Sequence, residues 1–107
     1  MLSSCVIVGK VVGYPHIMSR QNSKSGKQAY ILVETDLPFR NPDGTTGKNV
    51  FKVFLWRGIA EECAEVCHPG MFVCIRGRLQ SETVSKDGSR QYNTIIIAEK
   101  VVFQPES

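Results

Sequence analysis

Apolar and polar positions alternate most clearly in residues 50–57, Val-Phe-Lys-Val-Phe-Leu-Trp-Arg. Successive side chains of a strand point to opposite faces, so this segment predicts a strand with two different faces. One face is wholly apolar and typical of a core: Phe51, Val53 and Leu55. The other mixes cations with large side chains: Val50, Lys52, Phe54 and Trp56, with Arg57 just beyond. Aromatic rings beside cations on an exposed sheet are typical of surfaces that bind unstacked nucleic-acid bases.

Four further strands are predicted by similar apolar segments: residues 4–13, 27–35, 71–84 and 90–103. Gly13-Tyr14-Pro15 is expected to end the first strand. A long loop is expected over residues 36–49, and a hairpin turn at residues 86–88.

One helix is predicted over residues 58–67. Apolar side chains recur there at helical spacing, at Ile59, Cys63, Val66 and Cys67, and glutamates take the other side. His68-Pro69-Gly70 is expected to stop it.

The predicted order of elements is three strands, one helix and two strands, which is the order found in the OB-fold barrel. The predicted fold class is therefore all-β: a five-stranded Greek-key OB-fold barrel with one α-helix between strands 3 and 4. In that fold the helix closes one end, and an open face with its loops binds oligonucleotides. A chain of 107 residues predicts a single domain, residues 1–107, with an ordered core of about residues 4–104.

The chain has no run of 18 apolar residues, so no membrane partner is expected. Residues 1–10 lack the basic and long apolar segments of a signal peptide, which predicts a cytoplasmic, nucleoid-associated location or an equivalent organellar compartment. Charge is uneven: eight of the 13 Lys and Arg residues, but three of the ten Asp and Glu residues, lie in residues 1–57. This distribution favours a polyanionic partner, although basic loops are often only solvated surface.

Cysteine chemistry gives little support for a metal centre or an enzyme. Cys63 and Cys67 share a predicted helix face beside His68, but the second ligand pair of a structural zinc site is absent. We therefore interpret them as small apolar core residues and expect no metal or other cofactor. No phosphate loop, paired carboxylates or nucleophile elbow occurs, so we expect no enzymatic activity and no catalytic residue.

Several segments, taken in order, resemble the bacterial single-stranded DNA-binding proteins of the SSB family. They include Val6-Ile7-Val8-Gly9-Lys10, Tyr30-Ile31-Leu32-Val33, Val53-Phe54-Leu55-Trp56, His68-Pro69-Gly70, Val73-Cys74-Ile75-Arg76-Gly77-Arg78-Leu79 and Asp87-Gly88-Ser89-Arg90-Gln91-Tyr92. The resemblance implies non-catalytic binding of single-stranded DNA with little sequence preference, in replication, recombination or repair. It also implies a homo-oligomer, with a tetramer built from dimers that pair through the first strand favoured, and a dimer as the alternative.

The resemblance assigns the base-stacking aromatics to Phe39 in the second loop and Trp56 in the third strand, with Lys52 as a basic residue of that strand. Where the family often has further aromatics, this chain has Val50 and Val84, and the usually basic stem of the last hairpin contains Glu82. The family's acidic C-terminal tip is not found after Gln104, so recruitment of replication enzymes through such a tip is not expected.

The full set of predicted nucleic-acid-binding residues combines stacking aromatics with cations: Phe39, Arg40, Lys48, Lys52, Phe54, Trp56, Arg57, Arg76, Arg78, Lys86 and Arg90. Alternatives remain for each. Phe54 either stacks on a base or packs, Trp56 stacks or lies in a core or subunit interface, and the cations contact phosphate or are solvated. Tyr92 is expected to pack. The alternative function is an OB-fold accessory protein, of primosome type or a specialised paralogue, that acts mainly through protein contacts.

Overall fold

The computed structural model describes residues 4–18 and 27–104, apart from the side chain of Phe39. The elements follow the predicted order: β1 (Ser4–Ile17), β2 (Lys27–Arg40), β3 (Thr46–Trp56), α1 (Ile59–Val66), β4 (Phe72–Lys86) and β5 (Ser89–Gln104). The strands form a closed barrel in the order β1-β2-β3-β5-β4. Neighbouring strands are antiparallel except β3 and β5, which are parallel. The predicted five-stranded OB barrel, with its helix between the third and fourth strands, is confirmed.

Two predicted breaks in the strands are wrong. β1 continues through Tyr14 and Pro15, with a register shift between Val12 and His16. β2 continues to Arg40, with a register shift between Asp36 and Arg40, so the connection to β3 is only residues 41–45. Irregularities of this kind bend a strand without ending its pairing, which is why proline and polar residues are tolerated there.

The barrel interior holds a hydrophobic group that we call the interior cluster. Its largest fully buried members come from four strands and the helix: Val11, Ile31, Val33, Val53, Leu55, Cys63, Val73 and Ile75. The predicted inward face of β3 is confirmed, since Val53 and Leu55 are buried and Phe51 packs against them.

The helix α1 packs against this cluster through Ala60 and Cys63, with the adjacent Cys67 also buried. Val66 was expected on the same side but is 42% exposed, because the helix ends there and Cys67 continues in an extended conformation. No helix in the described ranges is long and apolar enough to cross a membrane.

Gly9 occupies the point where β1 changes partners. Pairing with β4 runs from Ser4 to Lys10, and pairing with β2 begins at Lys10. A Cβ at position 9 would lie 2.4 Å from the backbone oxygen of Glu34. Glycine is required here because the two backbones approach too closely for any side chain.

Candidate nucleic-acid interface

The outward side of β3 forms a second hydrophobic group, which we call the outer cluster. Its buried members are Phe54, Ile95 and Ile97, with Met18, Tyr30 and Trp56 packed against them. Strand pairing places five residues in one row across the barrel surface: His16, Tyr30, Phe54, Ile97 and Arg78. The alternation along β3 therefore predicted which of its side chains point outward, and neighbouring strands extend this face.

Cations cover the aromatic rings of the outer cluster. Lys52 Nζ lies 4.2 Å from the centre of the Tyr30 ring and 5.2 Å from that of Phe54. The Arg78 guanidinium lies 4.8 Å from the centre of the Trp56 ring. Contacts within about 6 Å are attractive because the face of an aromatic ring is electronegative. The face thus presents aromatic surface and positive charge together.

Phe54 and Trp56 differ in how far they reach solvent. Phe54 is only 8% exposed and packs in the outer cluster, so the packing alternative describes it in the free protein. Trp56 is half-buried. Its indole Nε1 is buried and has no hydrogen-bond partner in the described part of the chain. Of these two rings, Trp56 is the more exposed.

A cleft adjoins Trp56 on the side away from β2. It has a volume of about 370 Å³ and is lined by Trp56, Arg57, Ile59, Arg78, Ile97, Ala98 and Glu99. Arg57 and Arg78 from the predicted set meet here. The cleft therefore places the half-buried Trp56 beside two cations.

Tyr30 was not singled out by sequence analysis. His16 stacks on it with ring centres 4.7 Å apart and an interplanar angle of 26°, and Phe54 meets it edge-on with centres 6.1 Å apart. The available signal was parity, because Tyr30 alternates with the buried Ala29 and Ile31. Tyr30 connects β1 to the aromatics of β3.

The remaining predicted cations are spread over several places. Lys48 shares the outward parity of β3 but donates to Asp36 Oδ1 and lies 3.9 Å from Glu34 Oε1. The hydrogen bond to Asp36 raises the pKa of Lys48. Other predicted cations are exposed outside the outer cluster: Arg40 at the end of β2, Arg76 in β4, and Lys86 and Arg90 at the tip of the β4–β5 hairpin. The predicted role of Phe39 concerns a side chain outside the described residues.

Tyr92 corrects another expectation. It is 70% exposed on the β4–β5 hairpin rather than packed, because this part of the hairpin projects beyond the barrel core and has no apolar partner strand above it. Its pairing partner Thr83 is also exposed. Tyr92 is thus available to a ligand, although sequence analysis expected it to pack.

The cysteines behave as the apolar interpretation predicts. Cys63 and Cys67 are buried in the interior cluster as free thiols. Burial raises the pKa of the Cys63 thiol to about 12, with smaller contributions from Cys67 and Glu62. Burial also raises the pKa of Cys67. A thiol with a raised pKa stays protonated and is a poor nucleophile.

The barrel topology and its aromatic, cation-covered face define the chain as an OB-fold protein with a candidate oligonucleotide surface. The family model described as "Single-strand binding protein family" (SSB) matches residues 2–104. The chain belongs to the single-strand binding protein family.

Named relatives and a solved structure agree with this membership. Single-stranded DNA-binding protein B of Bacillus subtilis is 27% identical over 104 residues, which are 96% of this chain and 90% of the relative. Single-stranded DNA-binding protein 3 of Listeria innocua is 29% identical over 96% of this chain, which spans 64% of that relative. The solved Plasmodium falciparum SSB complex with ssDNA has a TM-score of 0.75 and 16% identity, with 98% of this chain and 96% of that chain covered. This last likeness concerns the fold.

Proposed function

We propose that the protein binds single-stranded DNA with little sequence preference, through the outer cluster and the cations around it. The observation that carries this proposal is the half-buried Trp56 beside Arg57 and Arg78, with Lys52 over the neighbouring rings. Family membership and relatives named single-stranded DNA-binding proteins support it. The protein acts by binding, without a catalytic step.

The proposed binding exchanges one set of contacts for another. Base stacking on an aromatic ring contributes on the order of 1–3 kcal/mol per base and tolerates any base, since every base has a π-face. A base that stacks on Trp56 takes the place of the Arg78 guanidinium over that ring. The displaced guanidinium then contacts a phosphate beside the same nucleotide. Arg78 therefore has an attractive partner in both states: the Trp56 ring in the free protein and a phosphate in the complex.

The direct test is a fluorescence titration, because Trp56 is the single tryptophan of the chain. Oligo-dT should quench its emission, and rising salt should reverse the quenching because phosphate contacts release counterions. Duplex DNA of equal length serves as the control and should quench far less. If oligo-dT leaves both the emission and the gel mobility unchanged at low salt, the proposal is wrong.

Two parts of the predicted site remain proposals of their own. Phe39 is proposed as a second stacking ring, and its substitution by Ala tests this directly. Arg40, Lys48, Arg76, Lys86 and Arg90 are proposed to extend the cationic track. Substitution of each by Gln should weaken binding of long oligonucleotides more than that of short ones.

We also propose that the protein acts as a homo-oligomer, with a tetramer favoured over a dimer. An exposed apolar strip on β1, β4 and β5 supports this: Val6 (68% exposed), Val8 (64%), Phe72 (50%) and Val102 (47%). Pairing places Val8, Cys74 and Val102 in one row of this strip. In addition, residues 4–9 pair with β4 on one side, and in the described residues their other edge is free. Sedimentation of the protein and of a Val8→Lys variant tests it, and equal sedimentation would contradict it.

The same apolar strip supports a second candidate function, an accessory protein that acts mainly through protein contacts. A dimer with a strong protein partner and negligible affinity for oligo-dT would favour this alternative.

For the leading proposal, the DNA coating serves replication, recombination or repair, because those processes expose single strands of DNA. We propose that it takes place in the cytoplasm. Loss of viability after damage in a deletion strain, rescued by the wild-type chain and not by a Trp56→Ala variant, would support that placement.

A further inference from the structure

One lysine of the outer face is held between an aromatic ring and a carboxylate. Lys27 Nζ lies 4.7 Å from the centre of the Phe54 ring and donates to Oε1 of Glu82. The pair connects β2 to β4, across 55 residues of sequence. The Lys27 side chain is 14% exposed and that of Glu82 is 30% exposed. The ammonium is therefore fixed over the ring and largely withdrawn from water.

Lys27 differs from the other cations of this face. Lys52 and Arg78 also lie over aromatic rings, but within residues 4–18 and 27–104 neither has an acidic partner. Lys27 alone among the three has its charge neutralised. Glu82 offers carboxylate oxygens to the ammonium, and a DNA phosphate offers equivalent anionic oxygens. The two anions are therefore competitors for the same donor.

We propose that Lys27 is a phosphate-binding site of the DNA track and that Glu82 occupies this site in the free protein as an intramolecular competitor. The inference rests on the proposed function and names a contact within it. A phosphodiester must displace the Glu82 carboxylate before it binds Lys27. Movement of Lys27 toward that phosphate also uncovers one side of Phe54, which is otherwise 8% exposed. Glu82 thus sets how tightly this face holds single strands.

The competition has a clear energetic sign. With Glu82 present, the phosphate exchanges one anionic partner of Lys27 for another, and the gain is small. Without the carboxylate, the phosphate satisfies an ammonium that had no anionic partner, and the gain is larger. Removal of the negative charge at position 82 should therefore strengthen DNA binding, although it removes an ion pair from the folded protein.

The test is a double-mutant cycle on Lys27 and Glu82, read by Trp56 fluorescence during oligo-dT titration. Glu82→Gln should bind about two- to fivefold more tightly than wild type at low salt, in line with the strength of partly exposed ion pairs. Lys27→Met should bind more weakly and flatten the slope of log affinity against log salt by less than the about 0.7 of an unpaired lysine, because Glu82 competes with phosphate for its ammonium. In the double variant, the gain from Glu82→Gln should disappear. Circular dichroism establishes that each variant is folded.

The matched control is Glu65→Gln, which removes the same charge from an exposed position on α1. It should change affinity far less than Glu82→Gln. If wild type binds and Glu82→Gln binds equally tightly, the inference is overturned while the proposed function stands. A gain that persists in the Lys27→Met background reflects net charge alone and also overturns it. If oligo-dT quenches the Trp56 emission of neither wild type nor any variant, and none of these proteins shifts oligo-dT in a gel, the proposed function fails. The inference then fails with it.

Discussion

The interior cluster and the outer cluster lie on opposite sides of the same strand, yet they are covered in different ways. Val53 and Leu55 point inward and are enclosed by backbone and apolar side chains of the barrel. Phe54 and Trp56 point outward, and long cationic side chains cover them. A cover made of backbone stays in place, whereas a lysine or arginine moves at little cost because its stem is flexible. Burial alone therefore does not distinguish a structural residue from one that a ligand uncovers.

The largest expected effect separates the clusters by stability. Leu55→Ala should lower the free energy of unfolding by about 2–5 kcal/mol, because the closed interior cannot collapse around the cavity. Phe54→Ala should cost less than the about 3–5 kcal/mol typical of a buried Phe, because the flexible lysine stems around it relax into the space. Urea unfolding of the three proteins measures both differences. Equal losses would show that the outer cluster is as rigidly enclosed as the interior.

The next effect separates the clusters by function. Trp56→Ala should weaken oligo-dT binding by about 1–3 kcal/mol through the loss of one stacking ring. Anisotropy of a labelled oligonucleotide measures it, since this variant has no tryptophan. Trp56→Phe keeps a π-face and should recover much of the affinity. A Phe variant as weak as the Ala variant would argue that Trp56 contributes through its indole N–H rather than through stacking.

The sequence predicted the faces of the barrel better than its boundaries. Alternation placed Leu55 inside and Trp56 outside, because side-chain direction is a local property of a strand. It failed at Pro15 and Asp36, where pairing with the following strand continues through a local irregularity. Local turn signals do not report such pairing.

The candidate site was predictable to a similar extent. The outward parity of Lys52 and Trp56 is visible in residues 50–57, and both lie at the outer cluster. The burial of Phe54 depends on Ile95 and Ile97, which are adjacent only because β5 joins β3 in the barrel. The contact between Lys27 and Glu82 likewise depends on tertiary structure, and no spacing in the sequence indicates it.

A smaller effect tests whether the interior of the barrel keeps water away from the Cys63 thiol and so prevents its ionisation. Because the pKa of Cys63 is raised to about 12 in the folded protein, its thiol ionises more readily when the chain unfolds. The folded state then binds the extra proton, so stability from this group is complete below about pH 9 and falls as pH rises toward 12. Urea unfolding at pH 7.5 and 10 should show a pH-dependent loss that is smaller in a Cys63→Ala variant, by at most about 1.4 kcal/mol per pH unit. Identical losses in both proteins would mean that the thiol reaches water in the folded state.

The smallest expected effect compares two lysines on the outward side of β3. Lys52 lies over Tyr30 and Phe54, whereas Lys48 is already bonded to Asp36 and near Glu34. Lys52→Gln should reduce the salt dependence of oligo-dT binding by about 0.7 in slope, which corresponds to one phosphate contact. Lys48→Gln should change the slope less, because Asp36 and Glu34 compete with phosphate for its ammonium. Binding isotherms at three salt concentrations measure both slopes. A larger change for Lys48 would mean that the DNA track follows the β2–β3 edge, where acidic side chains hold the cation, rather than the outer cluster, where aromatic rings hold it.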